Sequence, residues 1–355
     1  MIGRRGLLGA AGAVFVGCSC GTRPLLAADA PAAPRPVSIG GRRVPVCDVH
    51  AHCAFPSVNA ALRGTPFDKP IAPPSLVVAQ NRIAAMDARG IDVALLSVNI
   101  YWWYDADRDV AERVVRLQDE GLAELCRAYP GRFMAASSPA VQFPDLAAQQ
   151  LEHAVRNLGA RAASVGGHVK GEMLSSPRFD PFWAKVVELG VPVFMHPDGA
   201  QNLVPTRAWD GRGELNNVIG NPLETTMFLS RMIFDGTLDR FPGLKIIAAH
   251  GGGYLPSYLG RVEVACEVRP NAGCTNKRKP SEYLRDQIMA DSMVFSEQGI
   301  RHLVAEMGPG QIIYGSDMPY VWPDTIDHLV RAQGMGDDDK RAILGGNFQR
   351  VLKMA

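Results

Sequence analysis

The sequence predicts an α/β fold, a (β/α)8 TIM barrel with loops inserted over the C-terminal face, and three observations lead there. Short apolar runs alternate with amphipathic stretches, the pattern of repeated βα units and a parallel sheet. Eight such runs are present, and several stop on a histidine or an aspartate, as strands do when their ends converge on one pocket. No Gly-x-Gly-x-x-Gly follows any of them, which argues against an open doubly wound sheet with a dinucleotide turn. A length of 355 residues agrees, since barrels of about 250 residues or more fold as one unit.

Residues 1–30 have the order of a signal peptide: Arg4-Arg5, an apolar Gly- and Ala-rich stretch from Gly6 to Gly17, then Ala28-Asp29-Ala30. The paired arginines point to twin-arginine export and a periplasmic or secreted protein. Phe15-Val16-Gly17-Cys18 loosely resembles a lipoprotein box, so a lipid anchor is the alternative. The stretch is too short for a transmembrane span. A proline-rich linker is expected over 31–43, and the barrel domain over 44–355.

Within that domain the strands are expected at Val44–Val49, Val93–Ser97, Phe133–Ser137, Ala162–Val165, Val193–His196, Lys245–Ala249, Ile288–Asp291 and Ile312–Tyr314. Helices fit the periodicity of Leu76–Arg89, Asp107–Tyr129 and Asp145–Leu158, with Gly90, Gly131 and Gly159 where left-handed stops belong. Two stretches without period, proline-rich Ala54–Ser75 and polar Asn202–Asn221, are expected as loops over the barrel mouth.

Composition narrows the class of function. Apolar residues make up 47% and charged residues 21%, and the net charge of +1 gives no field for nucleic acid or an acidic membrane, which leaves a small-molecule substrate. Beyond the leader, Cys47, Cys53, Cys126, Cys266 and Cys274 lack the spacing of a disulfide framework. They are expected to be mostly free and buried, with a Cys266–Cys274 or Cys47–Cys53 pair as alternatives.

Chemistry is concentrated at strand ends. In Val44-Pro45-Val46-Cys47-Asp48-Val49-His50-Ala51-His52 the two imidazoles lie two residues apart, on one face of a strand, and neutral imidazoles are half of a zinc site. Three later runs end similarly, at His196-Pro197, at His250-Gly251-Gly252-Gly253 and at Gly315-Ser316-Asp317-Met318-Pro319. A catalytic zinc takes three or four protein ligands and leaves a position open. The glycine triplet reads as a tight turn that lets backbone approach a bound group.

This order of motifs resembles the amidohydrolase superfamily, and within it the branch typified by aminocarboxymuconate-semialdehyde decarboxylase. Connecting text such as Asn221-Pro222-Leu223-Glu224-Thr225-Thr226 extends the resemblance. It implies His50, His52, His196 and Asp317 as ligands of one divalent metal, zinc with manganese as the alternative, and His250 beside it as proton carrier together with Asp317. It also implies that Arg261 serves the pocket of a neighbouring subunit in a homodimer. At the strand-four end this chain reads Gly167-His168-Val169 where the branch has a similar Thr-His-Val, so His168 is expected near the substrate, orienting a ligand or loop, whereas Lys170 faces solvent rather than bridging a second metal. The branch's other substrate arginine has no counterpart at Asp68-Lys69-Pro70, which leaves Arg63 or Lys69 as replacements. Trp102 and Trp103 are candidates for an aromatic substrate wall.

The resemblance implies a nonoxidative decarboxylase of an unsaturated or aromatic carboxylic acid. A hydrolase of a lactone, amide or ester is the alternative within enzymes, and a zinc-binding protein without activity the alternative outside them.

Overall fold

Eight apolar runs form eight parallel strands, each within three residues of where its hydrophobic pattern places it. The structure, a computed structural model, describes residues 34–98, 102–204 and 206–354, so the signal peptide expected over 1–30 lies outside the described residues. The strands are β1 (Cys47–His52), β2 (Val93–Ser97), β3 (Phe133–Ser137), β4 (Ala162–Val165), β5 (Val193–Met195), β6 (Ile246–Ala248), β7 (Ile288–Asp291) and β8 (Ile312–Ile313). They pair in chain order, all parallel. A parallel bridge between Ala51 and Met318, with hydrogen bonds from Val49 N to Tyr314 O at 3.0 Å and Asp317 N to His50 O at 2.8 Å, joins the last strand to the first.

Each strand is followed by helix, as the alternation of periods requires. These are α1 (Gln80–Arg89), α2 (Arg108–Ala128), α3 (Pro144–Leu158), α4 (Asp180–Leu189), α5 (Asn221–Phe234), α6 (Leu259–Val268), α7 (Glu297–Met307) and α8 (Asn347–Val351). Asp107 caps α2 by accepting from Val110 N at 2.8 Å, and Gly90 and Gly159 end α1 and α3 in the left-handed region. α1 begins a turn later than the expected Leu76: Val77 and Ala79 are extended, and Leu76 closes a separate 3₁₀ turn.

Two layers of core follow from the strands' alternation. Outward residues such as Leu96, Val165, Met195 and Tyr314 pack with the helices. A second cluster takes residues from every strand, among them Val49, Leu95, Phe194, Ile247, Met289 and Ile313, and adds Phe348 and Leu352 from the C-terminal end. That cluster fills the barrel and forms the floor beneath the strand ends.

The linker expected over 31–43 is in part folded structure. Ser38–Ile39 and Arg42–Arg43 form an antiparallel hairpin, Val37, Ile39 and Val44 are buried, and Arg35 N donates to Asp87 O at 2.8 Å. Alternating burial of Val37 and Ile39 supplies the apolar contact that anchors it. Cys266 and Cys274 form a disulfide, while Cys47 and Cys53 are free and buried and Cys126 is free and half-buried. Among the described residues no helix is long and apolar enough to cross a membrane.

Candidate active site

The ends of β1, β5 and β8 bring His50, His52, His196 and Asp317 together, with one ligand atom from each lying within 4.8 Å of the others. His52 Nε2 is 2.7 Å from Asp317 Oδ1, and the His50 and His52 Nε2 atoms are 3.1 Å apart. Two imidazole nitrogens and a carboxylate oxygen aimed at one point are a donor set for a cation. Burial lowers the pKa of His52, and burial followed by the neighbouring His52 and His50 rings holds His196 well below its ordinary value, which keeps both in the neutral form a metal needs. Burial opposes the charge of Asp317, yet the adjoining His50 and His52 hold it well below the usual carboxylate range.

A surrounding layer fixes these groups. Buried Asp291, at the end of β7, accepts from His50 Nδ1 at 2.7 Å, which leaves the His50 Nε2 lone pair toward the cluster. The same carboxylate accepts from His250 N at 3.0 Å, Gly251 N at 2.8 Å and Met293 N at 3.1 Å. These donors, led by the His50 hydrogen bond, outweigh burial and keep Asp291 ionised. Asp48 accepts from His50 N at 2.9 Å and from Ser316 N at 3.0 Å, tying β1 to the segment that carries Asp317. Buried Arg82 donates to the carbonyls of His52 and Ser75, both at 2.9 Å, and so joins β1 to the end of the Ala54–Ser75 loop. Sequence reading missed Asp291, although it obeys the rule that found Asp317: an acid ending an apolar run.

His250 stands beside the cluster, its ring 5.3 Å from His50 and 5.2 Å from His196, with Nδ1 making no hydrogen bond. Burial, and then His50, pushes its pKa down to about 4, below the ordinary imidazole value. His250 and Asp317 both hold left-handed backbone, at φ 56° and 58°, a conformation non-glycine residues adopt sparingly and mostly where neighbours impose it. The glycines after His250 meet protein rather than a bound group. A Cβ on Gly253 would lie 2.4 Å from the Pro222 carbonyl, so the triplet lets this turn seat on α5.

A cavity of about 760 Å³ opens beside the cluster, lined in part by His196, His250 and Asp317. The rest of its lining includes Asp198, Glu214, Asn216, Asn217 and Asn221, and Tyr320, Val321 and Trp322. The polar Asn202–Asn221 stretch therefore reaches the site as its periodless composition suggested; its last part, Asn216–Gly220, is a single π-helical turn running into α5.

Other expected residues stand elsewhere. Trp102 is buried in the core and stacks on Tyr104, and Trp103 packs near Phe67, Val110 and Val115, so neither lines the cavity; apolar packing beneath a loop claims both rings. His168 is buried behind the wall, 3.9 Å from Glu224, and opens a small hairpin with Glu172–Met173. Lys170 pairs with Asp105 at 2.8 Å in solvent and is remote from the ligand set. Arg63 and Lys69 border a separate groove, with Lys69 close enough to Asp198 for its charge to act on that carboxyl. Arg261 is exposed on α6. Buried Glu224, which sequence reading left without a role, accepts from Gly167 N, Asp198 N and Gly199 N at 2.9, 3.0 and 2.7 Å. It thereby clamps the loops after β4 and β5, and Gly167 is required because a Cβ there would lie 2.7 Å from Glu224.

With this geometry in place, likeness to known proteins is informative. The family profile described as amidohydrolase matches residues 47–354. The 2-amino-3-carboxymuconate-6-semialdehyde decarboxylase of Dictyostelium discoideum is 28% identical over 282 residues, covering 76% of this chain and 75% of its own. The crystal structure of 5-carboxyvanillate decarboxylase from Sphingomonas paucimobilis superposes with a TM-score of 0.81 at 26% identity, over 88% of this chain and 100% of that one. Dihydroxybenzoic acid decarboxylase from Polaromonas sp. JS666, solved with manganese and 2-nitroresorcinol, gives a TM-score of 0.77 at 26% identity, over 88% and 97%.

Proposed function

The chain belongs to the amidohydrolase family, and from that premise we propose that it is a metal-dependent nonoxidative decarboxylase of an unsaturated or aromatic carboxylic acid. The observation that carries the proposal is the cluster of three imidazoles and one carboxylate beside a substrate-sized cavity, in a chain similar to several decarboxylases. His50, His52, His196 and Asp317 would hold one divalent ion, zinc by preference for this nitrogen-rich set, with manganese, as in the Polaromonas structure, the alternative. Such an ion supplies positive charge that orients the substrate carboxylate and offsets charge developing on the carbon framework.

This chain's residues do the rest. Asp291 and Asp48 hold His50 and the Asp317 segment in place. His250, with its Nδ1 unengaged and its side chain on the cavity wall, relays a proton from solvent to the carbon that CO2 leaves, so that R–COO⁻ and H⁺ become R–H and CO2. The test is product analysis of metal-loaded protein with a panel of hydroxybenzoates, unsaturated acids and lactones. CO2 with a matching decarboxylated product is expected; lactone or ester opening without CO2 would replace the reading with a hydrolase, and no turnover in the presence of bound metal with a binding protein.

We propose a homodimer as the working form. Six of the seven large apolar side chains exposed among the described residues are Val218, Ile219, Met227, Tyr258, Val264 and Val268, and Arg261 lies on α6 between Tyr258, which caps that helix, and Val264. In that arrangement Arg261 serves the carboxylate at the neighbouring metal site. A monomer in sedimentation, with full activity in Arg261→Ala, would remove both assignments. We also propose that residues 1–30 direct twin-arginine export to the periplasm or beyond; retention of an Arg4→Lys/Arg5→Lys form in the cytoplasm is the expected result.

A further inference from the structure

The motif Asn221-Pro222-Leu223-Glu224-Thr225-Thr226 opens α5 and supplies none of the four metal-ligand candidates. Two of its side chains nonetheless hold three consecutive strand ends. Buried Glu224 accepts from Gly167 N after β4, and from Asp198 N and Gly199 N after β5, at 2.9, 3.0 and 2.7 Å. Two residues on, Thr226 Oγ1 accepts from Tyr254 N, after β6, at 2.7 Å while donating to Pro222 O at 2.7 Å. The Gly253 turn seats against the same hydroxyl, since a Cβ there would lie 2.6 Å from Thr226 Oγ1. Thr225, between them, donates to Asn221 O at 3.2 Å inside the helix. One helical turn therefore fastens the backbone that follows His196 and the backbone that follows His250.

These two histidines depend on such a hold more than His50 does. His50 is oriented through its side chain, with Asp291 on Nδ1 at 2.7 Å. The Nδ1 atoms of His196 and His250 make no hydrogen bond among the described residues, so each ring takes its direction from its backbone. For His196 that backbone is fixed on one side by its own N, donating to Val165 O at 3.0 Å, and on the other by Glu224. For His250 it is fixed by Asp291 on N at 3.0 Å and, beyond the glycines, by Thr226. A carboxyl, ionised or protonated, offers a lone pair on each oxygen, whereas a primary amide accepts at one atom and donates at the other. Glu224→Gln would therefore turn a donor toward Gly199 N or toward Gly167 N and Asp198 N, leaving a buried donor unpaired. We propose, resting on the metal-site reading above, that the opening turn of α5 is the brace of the site: Glu224 is a positioning residue that sets the metal affinity of His196, and Thr226 a positioning residue that seats the turn carrying His250 without bearing on the metal.

The test titrates Zn²⁺ into the metal-stripped full chain against a chelating dye, with thermal melts of the same preparations. Glu224→Gln should weaken Zn²⁺ affinity by about 10–100-fold. Glu224→Asp, which withdraws the carboxyl by one methylene, should weaken it in the same direction and serves if the amide variant does not fold. Thr225→Val removes a hydroxyl from the same turn that holds no strand end, and Thr226→Val the one that holds Tyr254; both should leave Zn²⁺ affinity unchanged. Thr226→Val should also speed amide hydrogen exchange over Gly251–Tyr254, and Thr226→Ser should restore the protection. A folded Glu224→Gln protein with unaltered Zn²⁺ affinity, an equal loss of affinity in Thr225→Val, or failure of both Glu224 variants to fold would assign the motif to stability and overturn the proposal. Exchange indifferent to Thr226→Val, or loss of Zn²⁺ affinity in that variant, would overturn the division of roles. The metal reading and the brace fail separately: an unaltered chain that binds no Zn²⁺ removes both, whereas a variant series without the expected order removes the brace alone.

Discussion

The ligand candidates at the cavity are carried on strand ends and held by buried hydrogen bonds, whereas the rest of its lining is carried on the insertion after β5 and the segment after β8. Among the ligand candidates His50 has Asp291 on Nδ1, its backbone N on Asp48 and its carbonyl on Asp317 N. On that remaining lining Val321 is 99% exposed, and Asp198 and Glu214 are exposed as well. A cation site tolerates little displacement, so its ligands are set on the most rigid elements and locked by a second layer. The wall that meets the variable part of a substrate is free to differ between relatives of one fold, because no strand depends on it.

That contrast breaks if variants of the two parts behave alike. The largest effect is expected at β1: His52→Ala should lose most of the bound metal and all measurable turnover, read by metal analysis and a CO2 assay on one preparation, and Asp317→Ala should impair both as well. A metal-replete His52→Ala protein would show that the four converging side chains are not the ligand set. His250→Ala separates the two functions of the site. It should keep its metal while the rate falls by about 10²–10⁴; a metal-free variant would make His250 a ligand, and a fully active one would make it structural.

Asp291→Asn sharpens the comparison one layer out. Without an anionic acceptor on Nδ1 the His50 ring is no longer held in its ligand tautomer, and metal affinity should weaken by about 10–100-fold, measured by competition with a chelating dye. On the remaining lining, Val321→Ser should leave metal affinity unchanged and stability within about 0.5 kcal/mol, so any loss of metal there would erase the distinction between the two parts.

An effect on stability alone belongs to a site remote from both. Asp119 of α2 is buried against Ser137 Oγ at 3.0 Å, and burial pushes its carboxyl up to about 7. The folded chain therefore keeps this proton over the range, from about 4 to about 7, in which the unfolded chain has released it, so stability falls as pH rises through that window. In Asp119→Asn that dependence is absent. Thermal melts should show the variant gaining on the unaltered protein between pH 4 and pH 7 and holding the gain above it, by a few degrees; a constant offset across that range would mean the Asp119 carboxyl is not perturbed.

The sequence by itself determined the eight strands, their order and the four metal-ligand candidates, because each is a local statement. A run of apolar residues ending in histidine or aspartate is visible wherever it lies, and in a barrel every such end points to the same mouth. Glycine stops at Gly90 and Gly159 were legible for the same reason. Only the tertiary structure decided what surrounds those ends. Asp291 acquires its meaning from His50, 241 residues away, and Asp48 from Ser316, 268 residues away. Trp102 and Trp103 were plausible as substrate wall in one dimension, but apolar packing gains more from burying two indoles than from lining a polar cavity, and the fold took them inward. Arg63 and Lys69 turn to another groove, and Asp198, Glu214 and three asparagines turn to this one. Periodicity states which face of an element is buried; which loop bends over the mouth depends on closure of the whole barrel and on clamps such as Glu224, which no local pattern contains.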